Sequence, residues 1–132
     1  MALIVLIDDD EEIRRVLSRI LLSAGHAVIE AENGKIGLRR VRDDHPDLVL
    51  TDILMPDKDG IEAIEDIRRL SPVPKIIAMS GGGRYTGFEF LEIAKGLGAD
   101  ALLTKPFRAA ILLETIESVM SAAPEIAPNR SG

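Results

Sequence analysis

Residues 5 to 14 read VLIDDDEEIR, an aliphatic run that ends on three aspartates and two glutamates. Adjacent carboxylates raise one another's pKa unless a cation or a hydrogen-bond donor relieves them. The stretch therefore calls for a partner. Further along the chain, TD at 51–52, MS at 79–80 and TKP at 104–106 each close another aliphatic run. Carboxylate oxygens suit a hard cation, and Mg²⁺ takes one or two protein carboxylates, keeps several waters and shares phosphate oxygens. Zinc and copper, which favour nitrogen and sulfur donors, fit this set poorly. An aspartate can also be a nucleophile and form an acyl phosphate. Lys105 could merely neutralise the acids, but together with Ser80 and a metal it completes a cradle for a phosphoryl group.

Helix capping accounts for part of the acidic cluster. Asp9 can cap the helix that follows, with Glu12 reaching back as a capping box, while Asp10 and Glu11 favour the positive end of its dipole. Asp8, the last residue of the preceding run, is left over. A lone Asp there would be an ordinary turn residue; Asp8 and Asp9 facing Asp52 from a neighbouring strand would not. His26 and His45 fit no metal spacing, and His45 precedes Pro46 in a loop.

These residues need elements to hold them. Leu3 to Ile7, Ala27 to Ile29, Leu48 to Leu50, Ile76 to Met79 and Ala101 to Leu103 are short aliphatic runs, as in a parallel sheet covered on both faces. Between them Ile13, Val16, Leu17, Ile20 and Leu21 follow helical spacing, as do Phe90, Ile93, Ala94 and Leu97, and, more narrowly, Ile61, Ile64, Ile67 and Leu70. Asn33 has the look of an N-cap, and a last helix should start near Phe107 and fade before Pro124. The alternation predicts an α/β fold, a doubly wound five-stranded parallel sheet flanked by five helices and flavodoxin-like in kind. Its strand order, 2-1-3-4-5, is taken from the precedent of such sheets. Ligands then sit beyond the carboxyl ends of the strands, where Asp8, Asp9, Asp52, Ser80 and Lys105 converge.

Composition bounds the rest. The 132 residues amount to one domain, with 46% apolar content to fill its core. A net charge of -6 argues against nucleic acid or an anionic membrane as a direct ligand. There is no cysteine, which removes disulfides, thiolate metal sites and thiol nucleophiles. The opening MALIVLI is too short for a membrane span and lacks a basic flank, so a cytoplasmic protein is expected.

The joint pattern of DD after the first strand, TDILMPDKDG around Asp52, MS at the fourth strand and LLTKPF at the fifth resembles the receiver domain of bacterial response regulators. The resemblance spans residues 2 to about 122; a receiver over 1–122 and a disordered tail over 123–132 are expected. It implies that Asp52 accepts a phosphoryl group from phosphohistidine on a sensor histidine kinase or phosphotransfer protein. It further implies that Asp9, Asp52 and the Leu54 carbonyl hold Mg²⁺ directly, with Asp8 acting directly or through water, that Ser80 bonds a phosphoryl oxygen, and that Lys105 pairs with it. Pro56 and Gly60 would shape the loop after Asp52, and Lys105-Pro106 would be cis. The chemistry would be limited to self-catalysed phosphorylation and dephosphorylation, with no enzyme activity on other substrates.

Two features depart from the family pattern. Leu102 stands where many receivers carry a Tyr or Phe, which puts the usual aromatic switch in doubt. The segment after Ser80, beginning Gly81, Gly82, Gly83, is longer than expected. With Arg84, Tyr85 and Phe88 it could replace that switch or be merely a longer loop. A single-domain regulator that signals by binding an unknown downstream protein is expected, with a phosphoryl shuttle as the alternative. A flavodoxin-like FMN carrier would want a Ser/Thr/Gly-rich phosphate loop where DDDEE stands. A phosphatase with an Asp nucleophile of the haloacid dehalogenase kind would need an acid at Leu54.

Overall fold

The computed structural model describes residues 1–53, 59–81 and 96–121. Its strands are β1 (Leu3–Ile7), β2 (Ala27–Ala31), β3 (Leu48–Asp52), β4 (Lys75–Ser80) and β5 (Ala101–Thr104). All four pairings are parallel and the order is β2-β1-β3-β4-β5, as expected from sequence. The helices given among the described residues are α1 (Glu11–Ser23), α2 (Gly34–Asp44), α3 (Asp59–Arg68) and α4 (Ala109–Ser121). Of the predicted Phe90 to Leu97 helix, Leu97 is described and helical, and the other members fall outside the described residues. The predicted tail, 123–132, is also outside them. Among the described residues no helix is long and apolar enough to cross a membrane.

The aliphatic runs of β1, β3 and β4 are continuous because these strands are buried on both faces, whereas the edge strands β2 and β5 are only partly buried. Ile4 and Leu6 of β1 face one way and pack with Leu17 and Leu21 of α1 and Leu112, Ile116 and Val119 of α4. Val5 and Ile7 face the other way and pack with Val41 of α2 and Ile64 and Ile67 of α3. Val16, expected in the buried stripe of α1, is 54% exposed. It sits at the edge of the stripe, where the helix surface turns away from the sheet toward Pro106 and Phe107. The predicted last helix begins at Ala109, two residues later than Phe107.

Polar groups close the amino ends of the strands. Leu3 N–H donates to Asp47 Oδ2 and Ile76 N–H to Asp100 Oδ2, both at 2.8 Å, while Ala2 N–H donates to His26 Nδ1 at 3.0 Å. His26 thus has an ordinary structural role. His45 ends α2 at φ 48, in the left-handed conformation that closes many helices. Asn33 caps α2 as expected, accepting from Ile36 N–H.

One close approach fixes how α2 lies on the sheet. A Cβ at Gly37 would stand 2.3 Å from Ile7 Cδ1 and 2.7 Å from Ile7 Cγ1. The bare Cα lets the helix backbone settle on the last residue of β1. That residue immediately precedes Asp8.

Candidate functional site

The sheet register brings the acids together. Ile7 pairs with Thr51, so the next residue of each chain segment, Asp8 and Asp52, lies at the same level on adjoining strands. Met79 pairs with Asp52, which sets Ser80 one step beyond it on β4. Ser80 in turn pairs with Thr104, and Lys105 follows; its N–H donates to the Ser80 carbonyl at 2.7 Å. Asp8, Asp52 and Ser80 are buried, whereas Asp9 and Thr104 are exposed.

Lys105 Nζ donates to Asp8 Oδ2 at 2.8 Å and to Asp52 Oδ2 at 2.9 Å. One ammonium thus bridges two buried carboxylates from different strands. Burial would lower the Lys105 pKa, but its hydrogen bonds to Asp8 and Asp52 and their charges outweigh that and hold it above the usual lysine value. Asp9 is held above the usual carboxylate range although its side chain reaches solvent. Partial desolvation at the strand mouth is the main cause, and the charges of Asp8 and Asp52 add to it against a backbone hydrogen bond and Lys105.

Asp8, Asp9 and Asp52 each present a carboxylate oxygen within 4.8 Å of the others. The donor set is oxygen alone, which fits Mg²⁺ and fits zinc or copper poorly. Receiver domains generally bind Mg²⁺ at an acidic pocket of this kind. The expected Leu54 carbonyl lies outside the described residues, as do Pro56, Gly82, Gly83, Arg84, Tyr85 and Phe88. Lys105-Pro106 is cis.

The structure revises several local expectations. The cap of α1 is Asp10, not Asp9: its Oδ1 accepts from Glu12 N–H and Ile13 N–H, while Asp10 N–H donates to Asp8 Oδ1 at 3.0 Å. That turn on the Asp8 side chain advances the cap by one residue. Glu12 then falls one position short of the third helical residue, where a capping-box partner belongs. Asp9 is released from capping and projects at the site. Gly60, expected in the loop after Asp52, is helical within α3. Gly81 is exposed, outside the left-handed region, and a Cβ on it would meet nothing within 4 Å. Leu102 is half-buried opposite Ala78 and packs against the α2–α3 side of the sheet.

Sequence reasoning missed Arg14. Its Nη1 donates to the Asp8 carbonyl at 2.8 Å and its Nε to Glu30 Oε1 at 3.1 Å. The available signal was a basic residue inside the largely apolar face of α1, flanked by Ile13 and Leu17.

The family model for the response regulator receiver domain matches residues 4–117. The chain is 35% identical to "Chemotaxis protein CheY" of Halobacterium salinarum over 119 residues, covering 90% of this chain and 97% of that protein. It is 36% identical to "Probable transcriptional regulator ycf27" of Porphyra purpurea, with 96% of this chain covering 50% of that protein. The chain therefore spans about half the length of that relative. Among solved structures, the CheY-like receiver domain protein of Methanospirillum hungatei superposes with a TM-score of 0.82 at 31% identity, over 92% of this chain and 94% of that one. Vibrio cholerae CheY4 gives a TM-score of 0.82 at 30% identity, over 90% and 98%. Phosphoryl acceptance, and contact with histidine kinases or phosphotransfer proteins and downstream targets, are general to such domains. With the match running from β1 into α4, the chain belongs to the receiver domains of two-component response regulators.

Proposed function

We propose that Asp52 is the phosphoacceptor, and that this chain takes its phosphoryl group from a phosphohistidine on a sensor kinase or phosphotransfer protein. The observation that carries this reading is the Lys105 bridge to Asp8 and Asp52 beside the oxygen cluster of Asp8, Asp9 and Asp52. An Asp52 carboxylate oxygen attacks phosphorus, the O–P bond forms, and the P–N bond to imidazole breaks; the imidazole nitrogen picks up a proton. Water later cleaves the acyl phosphate and restores the carboxylate with release of inorganic phosphate. Such transfers pass through a loose transition state that asks the protein chiefly for positioning and charge neutralisation.

Asp8, Asp9 and Asp52 would hold Mg²⁺, which would supply positive charge against the phosphoryl oxygens. Lys105 supplies a second positive charge, moving from the carboxylates to a phosphoryl oxygen as one arrives. Ser80, at the end of β4, offers a hydroxyl to another. The chain's chemistry is confined to its own phosphorylation and dephosphorylation at Asp52. Its output is read as contact with another protein, in keeping with a net charge of -6, which disfavours nucleic acid as a direct ligand.

The test is intact-mass measurement after incubation with Mg²⁺ and acetyl phosphate or a phosphorylated kinase. The wild type should gain one phosphoryl group and Asp52→Asn none. A wild type that never gains mass, or an Asp52→Asn chain that gains it equally, overturns the assignment.

A further inference from the structure

Arg14 reaches across the mouth of the site without being part of the acidic cluster. Its side chain is only 14% exposed, and its guanidinium is spent on two acceptors, the Asp8 carbonyl and Glu30 of β2. The Asp8 carbonyl belongs to the peptide that joins Asp8 to Asp9. A peptide unit is planar, so fixing its oxygen fixes the plane in which the chain leaves toward the Asp9 Cα. On its other side Asp8 is held by its own N–H, which donates to the Ala31 carbonyl at 3.2 Å. Both restraints therefore run to β2, at Glu30 and Ala31, while the Asp8 side chain is drawn the opposite way by Lys105.

We propose that Arg14 is a positioning residue for the cation site: by clamping the Asp8–Asp9 peptide against Glu30, it sets the direction of the Asp9 carboxylate. The inference rests on the assignment of Asp8, Asp9 and Asp52 to Mg²⁺. It concerns a residue that touches neither the cation nor the phosphoryl group. Groups hydrogen-bonded directly to a metal ligand commonly change affinity by about 10- to 100-fold when removed; Arg14 acts through the peptide that precedes Asp9, so the lower end of that range is expected.

Charge and position predict opposite signs here. A guanidinium near a cation site repels the cation, so removing Arg14 should tighten Mg²⁺ binding if charge were all that mattered. If Arg14 positions Asp9, removing it should weaken binding. Arg15, next along the helix, carries the same charge but pairs with the exposed Glu11 and does not touch Asp8.

Calorimetric titration of MgCl₂ into the unphosphorylated chain reads this directly. Arg14→Met, which keeps the aliphatic stem, should weaken Mg²⁺ about 10-fold, while Arg15→Met should leave affinity unchanged or slightly raised. Arg14→Lys, with one donor able to reach the Asp8 carbonyl, should recover part of the loss. Glu30→Gln, a milder change that covers the case of an unfolded Arg14→Met, should shift affinity the same way by a few-fold. Binding by Arg14→Met as tight as wild type or tighter, an equal loss in Arg15→Met, or an unchanged Glu30→Gln where Arg14→Met does not fold, overturns the proposal alone. A wild type that takes up no Mg²⁺ overturns the cation assignment as well.

Discussion

Lys105 donates to Asp8 across 2.8 Å, joining side chains 97 positions apart in the sequence at the mouth of the sheet. Asp8 is fully buried and the lysine side chain nearly so. Removing one partner of a buried pair leaves the other uncompensated, so Lys105→Met should cost about 3 kcal/mol at neutral pH. The Lys105 pKa is raised in the folded chain above its ordinary 10.5. A group raised on folding contributes fully below its unfolded value, and that contribution is lost as pH climbs through the folded one. The stability gap between wild type and Lys105→Met should therefore stay level from pH 7 to about 10 and narrow above it. Urea midpoints across that range measure the gap; one that stays constant to pH 11 would refute the pairing as the source.

The same bridge places Lys105 in competition with a divalent cation. Its ammonium takes one oxygen each of Asp8 and Asp52, two of the carboxylates in the cluster. Lys105→Met should thus bind Mg²⁺ several-fold more tightly than wild type while accepting phosphoryl groups more slowly. Thermal unfolding with and without Mg²⁺ reads the first effect, since a ligand of the folded state raises stability in proportion to the logarithm of one plus the ratio of free Mg²⁺ concentration to Kd. Weaker Mg²⁺ binding in the variant would mean that the lysine orders the carboxylates more than it competes for them.

What the sequence made legible here followed from period and position. The five aliphatic runs became the five strands, with Leu3 to Ile7 matched to the residue. Polar residues at the carboxyl ends of buried parallel strands had to meet, because those ends open into one crevice. The cap of α1 was harder to read. Asp8, Asp9 and Asp10 are chemically equal, and the choice among them depends on Asp8 Oδ1 accepting from Asp10 N–H. Arg14 was illegible for a different reason: its acceptors are on β1 and β2, and only their pairing brings Glu30 beside the end of β1. Val16 shows the limit of periodicity, which gives the centre of a buried stripe better than its edge.

Splitting capping from the site gives Asp9 and Asp10 opposite signatures. Asp10→Ala removes the acceptor for two helix N–H groups and should cost about 1 kcal/mol of stability with little effect on Mg²⁺. Asp9→Asn should do the reverse. The Asp9 pKa is raised on folding, so its ionised form opposes the folded state at neutral pH. The substitution should stabilise the metal-free chain at pH 7, lose that benefit as pH falls from the raised Asp9 value to its ordinary one, and sharply weaken Mg²⁺. Equal loss of stability in both variants would return the capping role to Asp9.

Gly37 offers the test of how α2 supports the site. A Cβ at this position would come within 2.3 Å of Ile7 Cδ1 and 2.7 Å of Ile7 Cγ1, contacts that only movement can relieve. Glycine to alanine inside a helix ordinarily gains about 1 kcal/mol, whereas overpacking of this kind costs about 1–3 kcal/mol. The clash involves a γ-carbon as well as the chain end, so the cost should win and Gly37→Ala should lower the unfolding midpoint. Ile7→Val deletes Cδ1 and keeps Cγ1 and Cγ2 equivalents, so the double variant should be less destabilised than the sum of the single changes. Because Ile7 is followed directly by Asp8, Gly37→Ala should also weaken Mg²⁺, and the second substitution should restore part of that loss. Additive stabilities with unchanged Mg²⁺ affinity would show that α2 can shift on the sheet without disturbing the acids at the end of β1.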